Sequence, residues 1–147
     1  TRPYNYFLIE KLDTNDYGVY VNNTFQPKNS YSASALAGTI VLETGTHSVH
    51  NVTLDANATI YVTASQLNDG TNSSSLLNNA VQKITVKVTQ DSTGSRTLTW
   101  TTATGTILWE GGSAPTQTAT ADKTDIYELI NFGGEDKFYA RRIGANF

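Results

Sequence analysis

The stretch from Val81 to Thr89 constrains the fold most: Ile84, Val86 and Val88 alternate with Thr85, Lys87 and Thr89. Side chains two apart share a face only on a strand, so this segment reads as a strand with one apolar and one wet face. The pattern recurs. Val52 and Leu54 oppose Thr53 and Asp55, Ile60 and Val62 oppose Tyr61 and Thr63, and Leu98 and Trp100 oppose Thr97 and Thr99. Half-wet strands of this kind are typical of antiparallel sheets with one face on a core.

Turn chemistry punctuates the strands. Asn68-Asp69-Gly70 is a turn signal, and Asp91-Ser92-Thr93-Gly94 separates two strand patterns by a loop of hairpin length. Gly133-Gly134 separates Ile126–Phe132 from Lys137–Ile143 in the same way. Short strands at this spacing predict an all-β chain, an antiparallel β-sandwich or jelly roll. Helix is expected only as one turn over Ser32 to Leu36, with a polar loop or short helix over Ser73 to Ala80. No long internal repeat is evident.

At 147 residues the chain fits one domain. Its organisation reads as an N-terminal segment, 1–37, and a sandwich, 38–147. The first segment is rich in aromatics, with Tyr4, Tyr6, Phe7, Tyr17, Tyr20 and Phe25. Tyr6–Leu12 and Tyr17–Val21 are candidate strands around Asp13-Thr14-Asn15-Asp16. An arm that docks on a partner and a hairpin added to the sandwich fit this composition equally.

Composition removes several functions. No cysteine is present, so disulfides and thiolate metal sites are excluded. A formal net charge of -3 gives no electrostatic reason to bind nucleic acid or anionic lipid. No apolar run approaches the ~20 residues of a membrane helix. The N-terminus lacks a signal-peptide core, and its small first residue, Thr1, is what initiator-methionine trimming leaves, so a complete chain made in the cytoplasm is expected. The Asn-x-Ser/Thr triplets at Asn22, Asn51, Asn57 and Asn72 then read as chance in an Asn/Thr-rich chain.

Chemical motifs are sparse. His47 and His50 lie three apart, which on a strand places them on opposite faces and makes them poor partners for one metal. Asp13-x-Asn15-x-Tyr17-Gly18 begins like a calcium loop, but Tyr17 replaces the third oxygen ligand and Thr24 stands where glutamate is needed, so it reads as a turn. Asp122, Asp125, Glu135 and Asp136 form the acid pairs a glycosidase would need, yet all sit where turns are expected. No Gly-x-Ser-x-Gly elbow, Walker loop or dinucleotide fingerprint occurs, and no cofactor is implied. Aromatics are the better binding candidates. Trp109, Tyr127 and Tyr139 form a candidate glycan platform, against which stand core packing and subunit contact. Trp100 reads as core because it alternates with Leu98.

From Val52 onward the chain resembles a β-sandwich module recurrent in bacteriophage virion proteins of tail, fibre and head decoration. The stretches that carry the resemblance are Val-Thr-Leu-Asp-Ala-Asn-Ala-Thr-Ile (52–60), Leu-Asn-Asp-Gly (67–70) and Ile-Thr-Val-Lys-Val-Thr-Gln-Asp (84–91). Arg-Thr-Leu-Thr-Trp (96–100), Ile-Leu-Trp-Glu-Gly-Gly-Ser-Ala-Pro-Thr (107–116), Lys-Thr-Asp-Ile-Tyr (123–127) and the ending Asn146-Phe147 complete it. Glu110 stands where such modules often carry proline, and the run after Gly134 is more charged than usual. The resemblance implies a virion structural part, not an enzyme. The absence of a stalk or repeat points to a capsid decoration (cement) protein, a homo-oligomer, by implication a trimer, bound to the major capsid protein. Tyr4, Tyr6, Phe7 and Phe147 are then the candidate interface. The alternative is a tail or fibre module binding host-surface glycans through Trp109, Tyr127 and Tyr139.

Overall fold

The computed structural model describes residues 7–13, 16–21, 24–26, 31–35, 38–44, 47–63, 81–102, 105–133 and 135–147. For residues 7–35 and Glu43 it describes the backbone. Twelve strands occur in the order β1 (Phe7–Asp13), β2 (Asp16–Val21), β3 (Thr24–Gln26), β4 (Tyr31–Ala35), β5 (Gly38–Glu43), β6 (Val49–Leu54), β7 (Ala58–Thr63), β8 (Gln82–Gln90), β9 (Leu98–Thr102), β10 (Thr106–Trp109), β11 (Thr124–Asn131) and β12 (Lys137–Gly144). No helix occurs among the described residues, and none there is long and apolar enough to cross a membrane. The helical turn expected from Ser32 is instead strand β4. The turn at Asn68–Gly70 and the segment Ser73–Ala80 lie outside the described residues.

β1, β2 and β3 form an antiparallel sheet of their own, with Phe7 opposite Val21 and Val19 opposite Gln26. The candidate strands on either side of Asp13–Asp16 are thus paired with each other. β4 falls within the segment 1–37 but pairs with β6.

The remaining strands form a six-stranded sheet, β10-β12-β11-β8-β6-β4, and a three-stranded sheet, β5-β7-β9. Pairing is not all antiparallel, as the half-wet pattern led us to expect. β4, β6 and β8 run parallel, as do β5, β7 and β9. Each strand of the first set is followed in the chain by one of the second, so β4–β5, β6–β7 and β8–β9 are three arches stacked in register. This is a structural repeat that the sequence did not reveal.

The arch corners explain why the loop Asp91–Gly94 does not make a hairpin. Gln90 is 1% exposed. Its amide donates to the carbonyls of Arg96 and Thr118 and accepts from Arg96 N–H, which turns the chain out of the first sheet into the second. Asp91 Oδ1 accepts from Thr93 and Gly94 N–H, and its other oxygen pairs with Arg96 at 2.8 Å. The preceding corner is stacked beneath, with Asn57 Oδ1 accepting from Thr97 N–H and Thr97 C=O from Ala58 N–H.

One core joins the two sheets. Leu42, Ile60 and Val62 come from the three-stranded sheet, and Leu54, Ile84 and Leu129 from the larger one; all six are fully buried. Full burial of such side chains stabilises by roughly 1.5–3 kcal/mol each. β8 buries alternate residues, as its period-two pattern requires. At the C-terminal end, β11 and β12 form the expected antiparallel hairpin, with Leu129 opposite Ala140 and Ile130 opposite Tyr139. β10 adds to β12 in parallel, Leu108 opposite Tyr139 and Trp109 opposite Ala140.

Candidate functional site

The registers of β10, β12 and β11 sort the candidate aromatics onto two faces. Trp109 and Tyr127 point inward, where they meet Trp100. Ring centroids are 5.3 Å apart for Trp100 and Trp109, 5.0 Å for Trp100 and Tyr127, and 6.0 Å for Trp109 and Tyr127. Tyr127 has no exposed surface, and its hydroxyl donates to Gln117 Oε1 at 2.7 Å. Burial first, and the Asp125 charge second, push its pKa up, so it stays a donor. Tyr139 lies on the opposite, outer face and is 39% exposed. The three residues of the expected glycan platform therefore do not form one surface: Tyr127 is sealed in the core, Trp109 packs against it, and Tyr139 faces solvent.

Asp125 organises the same end of the fold. It is wholly buried on β11, not on a turn as its neighbours implied. One oxygen accepts from Thr118 N–H at 2.8 Å and pairs with Arg142 at 3.3 Å; the other accepts from Asn146 N–H at 3.0 Å. Burial alone would raise its pKa, but the Thr118 and Asn146 donors and the Arg142 charge outweigh it and hold the carboxyl below its ordinary value. Glu135 lies at the far end of the β11–β12 hairpin, where it accepts from the Tyr139 hydroxyl. An eight-residue strand separates the two acids, roughly 20 Å. Carboxylates that cleave a glycosidic bond together lie about 5–10 Å apart. Asp122 occupies an exposed turn at φ 60°.

His47 and His50 also depart from expectation. β6 begins at Val49, so strand alternation does not separate the pair, and their rings meet edge to face at 6.0 Å. His50 is 1% exposed, and burial, followed by the His47 charge, pushes its pKa down to about 4. Among the described residues no group of three His, Asp or Glu is placed to hold a metal. Thr14 and Asn15 of the calcium-like turn, and the residues Tyr4 and Tyr6, lie outside the described residues. Phe7 opens β1, and only its backbone is described. Phe147 pairs its backbone with Thr124 in both directions, its ring lies over Gly144, and it is 66% exposed.

The outer face of β10, β12 and β11 holds a groove of about 490 Å³. Of its lining residues, sequence reasoning found Trp109 and Tyr139. Leu108, Tyr139 and Ile130 form one row across the three strands, Arg141 lies opposite Glu128 in the next, and Glu110, just past the end of β10, also lines the groove. Glu128 is shared by Lys83 at 2.6 Å and Arg141 at 3.0 Å, and hydrogen bonding to Lys83 leads the causes that keep its carboxyl below the ordinary range. The missed signal was same-face spacing: Glu128-x-Ile130 and Tyr139-x-Arg141 each place two side chains on one side of a strand.

The other sheet presents a different surface. The outer face of β5-β7-β9 carries Thr39, Val41, Thr59, Tyr61, Thr99 and Thr101, with Thr59 and Thr99 hydroxyls 2.7 Å apart. None of its described side chains is charged, and Val41 is 49% exposed.

No family model, curated protein or solved structure matches this chain.

Proposed function

We propose that this chain is a structural protein of a bacteriophage virion, in its leading form a capsid decoration protein, and that it works by protein contact. The observation that carries this reading is the outer face of β5-β7-β9, whose described side chains are uncharged, Glu43 falling at the end of β5. Interface centres are depleted in charge, whereas a solvated sheet face ordinarily carries it. The outer face of the larger sheet does so, with Lys83, Lys87, Glu128 and Arg141. In this reading the two sheets are the layers of one sandwich built from stacked arches, and the three-stranded layer meets the major capsid protein or a second and third copy of the chain. The aromatic N-terminal segment adds contacts, and many weak ones sum through multivalency. The stretches that carry the resemblance to virion modules support it, because 52–60, 84–91 and 96–100 lie on the strands and corners of the arches.

Binding to capsids stripped of the chain tests this. The wild type is expected to rebind, and Val41→Glu, which places a charge on this face, to rebind at least ~10-fold more weakly. Equal rebinding by both would count against the face.

The second reading is a tail or fibre module that binds host glycans. Of its three residues only Tyr139 is exposed enough to stack on a sugar, and what favours the reading is the groove beside it.

A further inference from the structure

We infer that the groove across β10, β12 and β11 is a saccharide subsite for a neutral hexopyranose. The site rests on the glycan reading and gives it a place and a ligand class. Two adjacent rows of side chains define it. Leu108, Tyr139 and Ile130 are apolar, and Arg141 and Glu128, with Glu110 just past the end of β10, are charged. Neighbouring strands are about 4.8 Å apart and same-face residues about 7 Å apart along a strand, so the grid is roughly 10 Å by 7 Å. A pyranose ring has the same division, an apolar C–H face and a rim of hydroxyls. Laid on Tyr139, it brings that rim over the charged row. The groove volume of about 490 Å³ falls within the range of small-molecule sites.

Both recognition elements are held in place before any ligand arrives. The Tyr139 hydroxyl donates to Glu135 at 3.1 Å, and the Phe132 ring meets Tyr139 edge-on at 5.5 Å. The Arg141 Nε and Nη2 groups both donate to Glu128 Oε1, at 3.2 and 3.0 Å. That fixes the guanidinium plane and leaves N–H groups turned to other acceptors. Glu110, which makes no ion pair among the described residues, supplies a further acceptor in the groove lining. The charges select against acidic sugars: the lining holds two carboxylates and one guanidinium, and that guanidinium already serves Glu128. Glu128 is kept ionised by Lys83 and Arg141, so it is a hydrogen-bond acceptor and a poor proton donor, which suits binding without hydrolysis.

The test titrates the isolated folded chain with methyl glucoside, methyl galactoside, methyl mannoside, maltose and lactose, read by saturation-transfer and backbone-amide NMR. At least one of the five is expected to saturate with a Kd on the order of millimolar, shifting the amides of residues 108–110 and 139–141. Tyr139→Ala is expected to weaken it at least ~10-fold and Arg141→Lys severalfold, since a lysine lacks the planar fork. Tyr139→Phe, which keeps the stacking face, stays within about twofold, and Thr101→Ala on the other sheet leaves binding unchanged. Failure of all five sugars to saturate overturns the site, as does binding that Tyr139→Ala leaves intact or equal binding of methyl glucuronide. Self-association of the chain that Tyr139→Ala abolishes would assign the groove to a protein partner instead, and also overturns it. A sugar bound elsewhere, with shifts away from these strands, would remove the groove while leaving the glycan reading standing.

Discussion

Asp125 and His50 are buried ionisable side chains that make this fold sensitive to acid, and they act through different physics. The Asp125 carboxyl is held below its unfolded value by donors it has only when folded. Its stabilisation is complete above an unfolded pKa of about 3.9 and is lost as pH falls through the lower folded value. Asp125→Asn keeps the shape but loses the charge between Arg142 and the two amides, and is expected to cost about 2–4 kcal/mol in chemical denaturation at pH 7. His50 is neutral in the fold, with its pKa pushed down from 6.5 to about 4. Its folded value also lies below the unfolded one, so stability is full above about pH 6.5 and falls between there and pH 4. Between pH 7 and 4.5 the wild type is expected to lose about 2–3 kcal/mol more than His50→Gln does. A pH profile identical in the two proteins would contradict the burial of an uncharged imidazole. Neither residue announced itself in the sequence. Asp125 lies beside turn-forming residues, and His50 sits one residue into a strand whose start no alternation marks.

Elements were legible where one strand's own pattern sufficed and illegible where a partner had to be chosen. Ile84, Val86 and Val88 give the buried face of β8 directly, and the Gly133–Gly134 turn gives the β11–β12 hairpin. The period of two names a face, not a neighbour. Asp91–Gly94 therefore read as a hairpin when it is an arch corner, held by Gln90 and Asp91 side chains that no spacing rule weighs. The stack was hidden for a related reason. Val52 stands 19 residues after its partner Ala33, but Val88 stands 36 after Val52, because residues 64–81 intervene between β7 and β8. The corner makes a sharp demand on one residue. Gly94 has φ +68°, and a Cβ there would lie 2.7 Å from the Ala119 carbonyl oxygen. Gly94→Ala is expected to lower stability by at least ~2 kcal/mol, read from the denaturation midpoint. A neutral Gly94→Ala would mean the corner is not closed against the 119–121 segment.

For the molecule as a whole, an all-β architecture followed from alternation and turn chemistry, while the division of labour between its faces did not. Thr39, Thr59 and Thr99 align only because three arches stack, and Leu108 lies opposite Tyr139 only because β10 adds to β12 in parallel. The result is a body with one face whose described side chains are uncharged and one grooved, charged face, joined by a shared core. Core integrity underlies both surfaces: Ile84→Ala, at the centre of β8, is expected to cost about 2–5 kcal/mol and to loosen both together. The central claim, that the outer face of β5-β7-β9 makes this chain a building part of a virion, is tested most directly by counting it. Quantitative mass spectrometry of purified particles encoding the chain should find on the order of hundreds of copies per particle, as many weak symmetric contacts require. A handful of copies, or none, would contradict it.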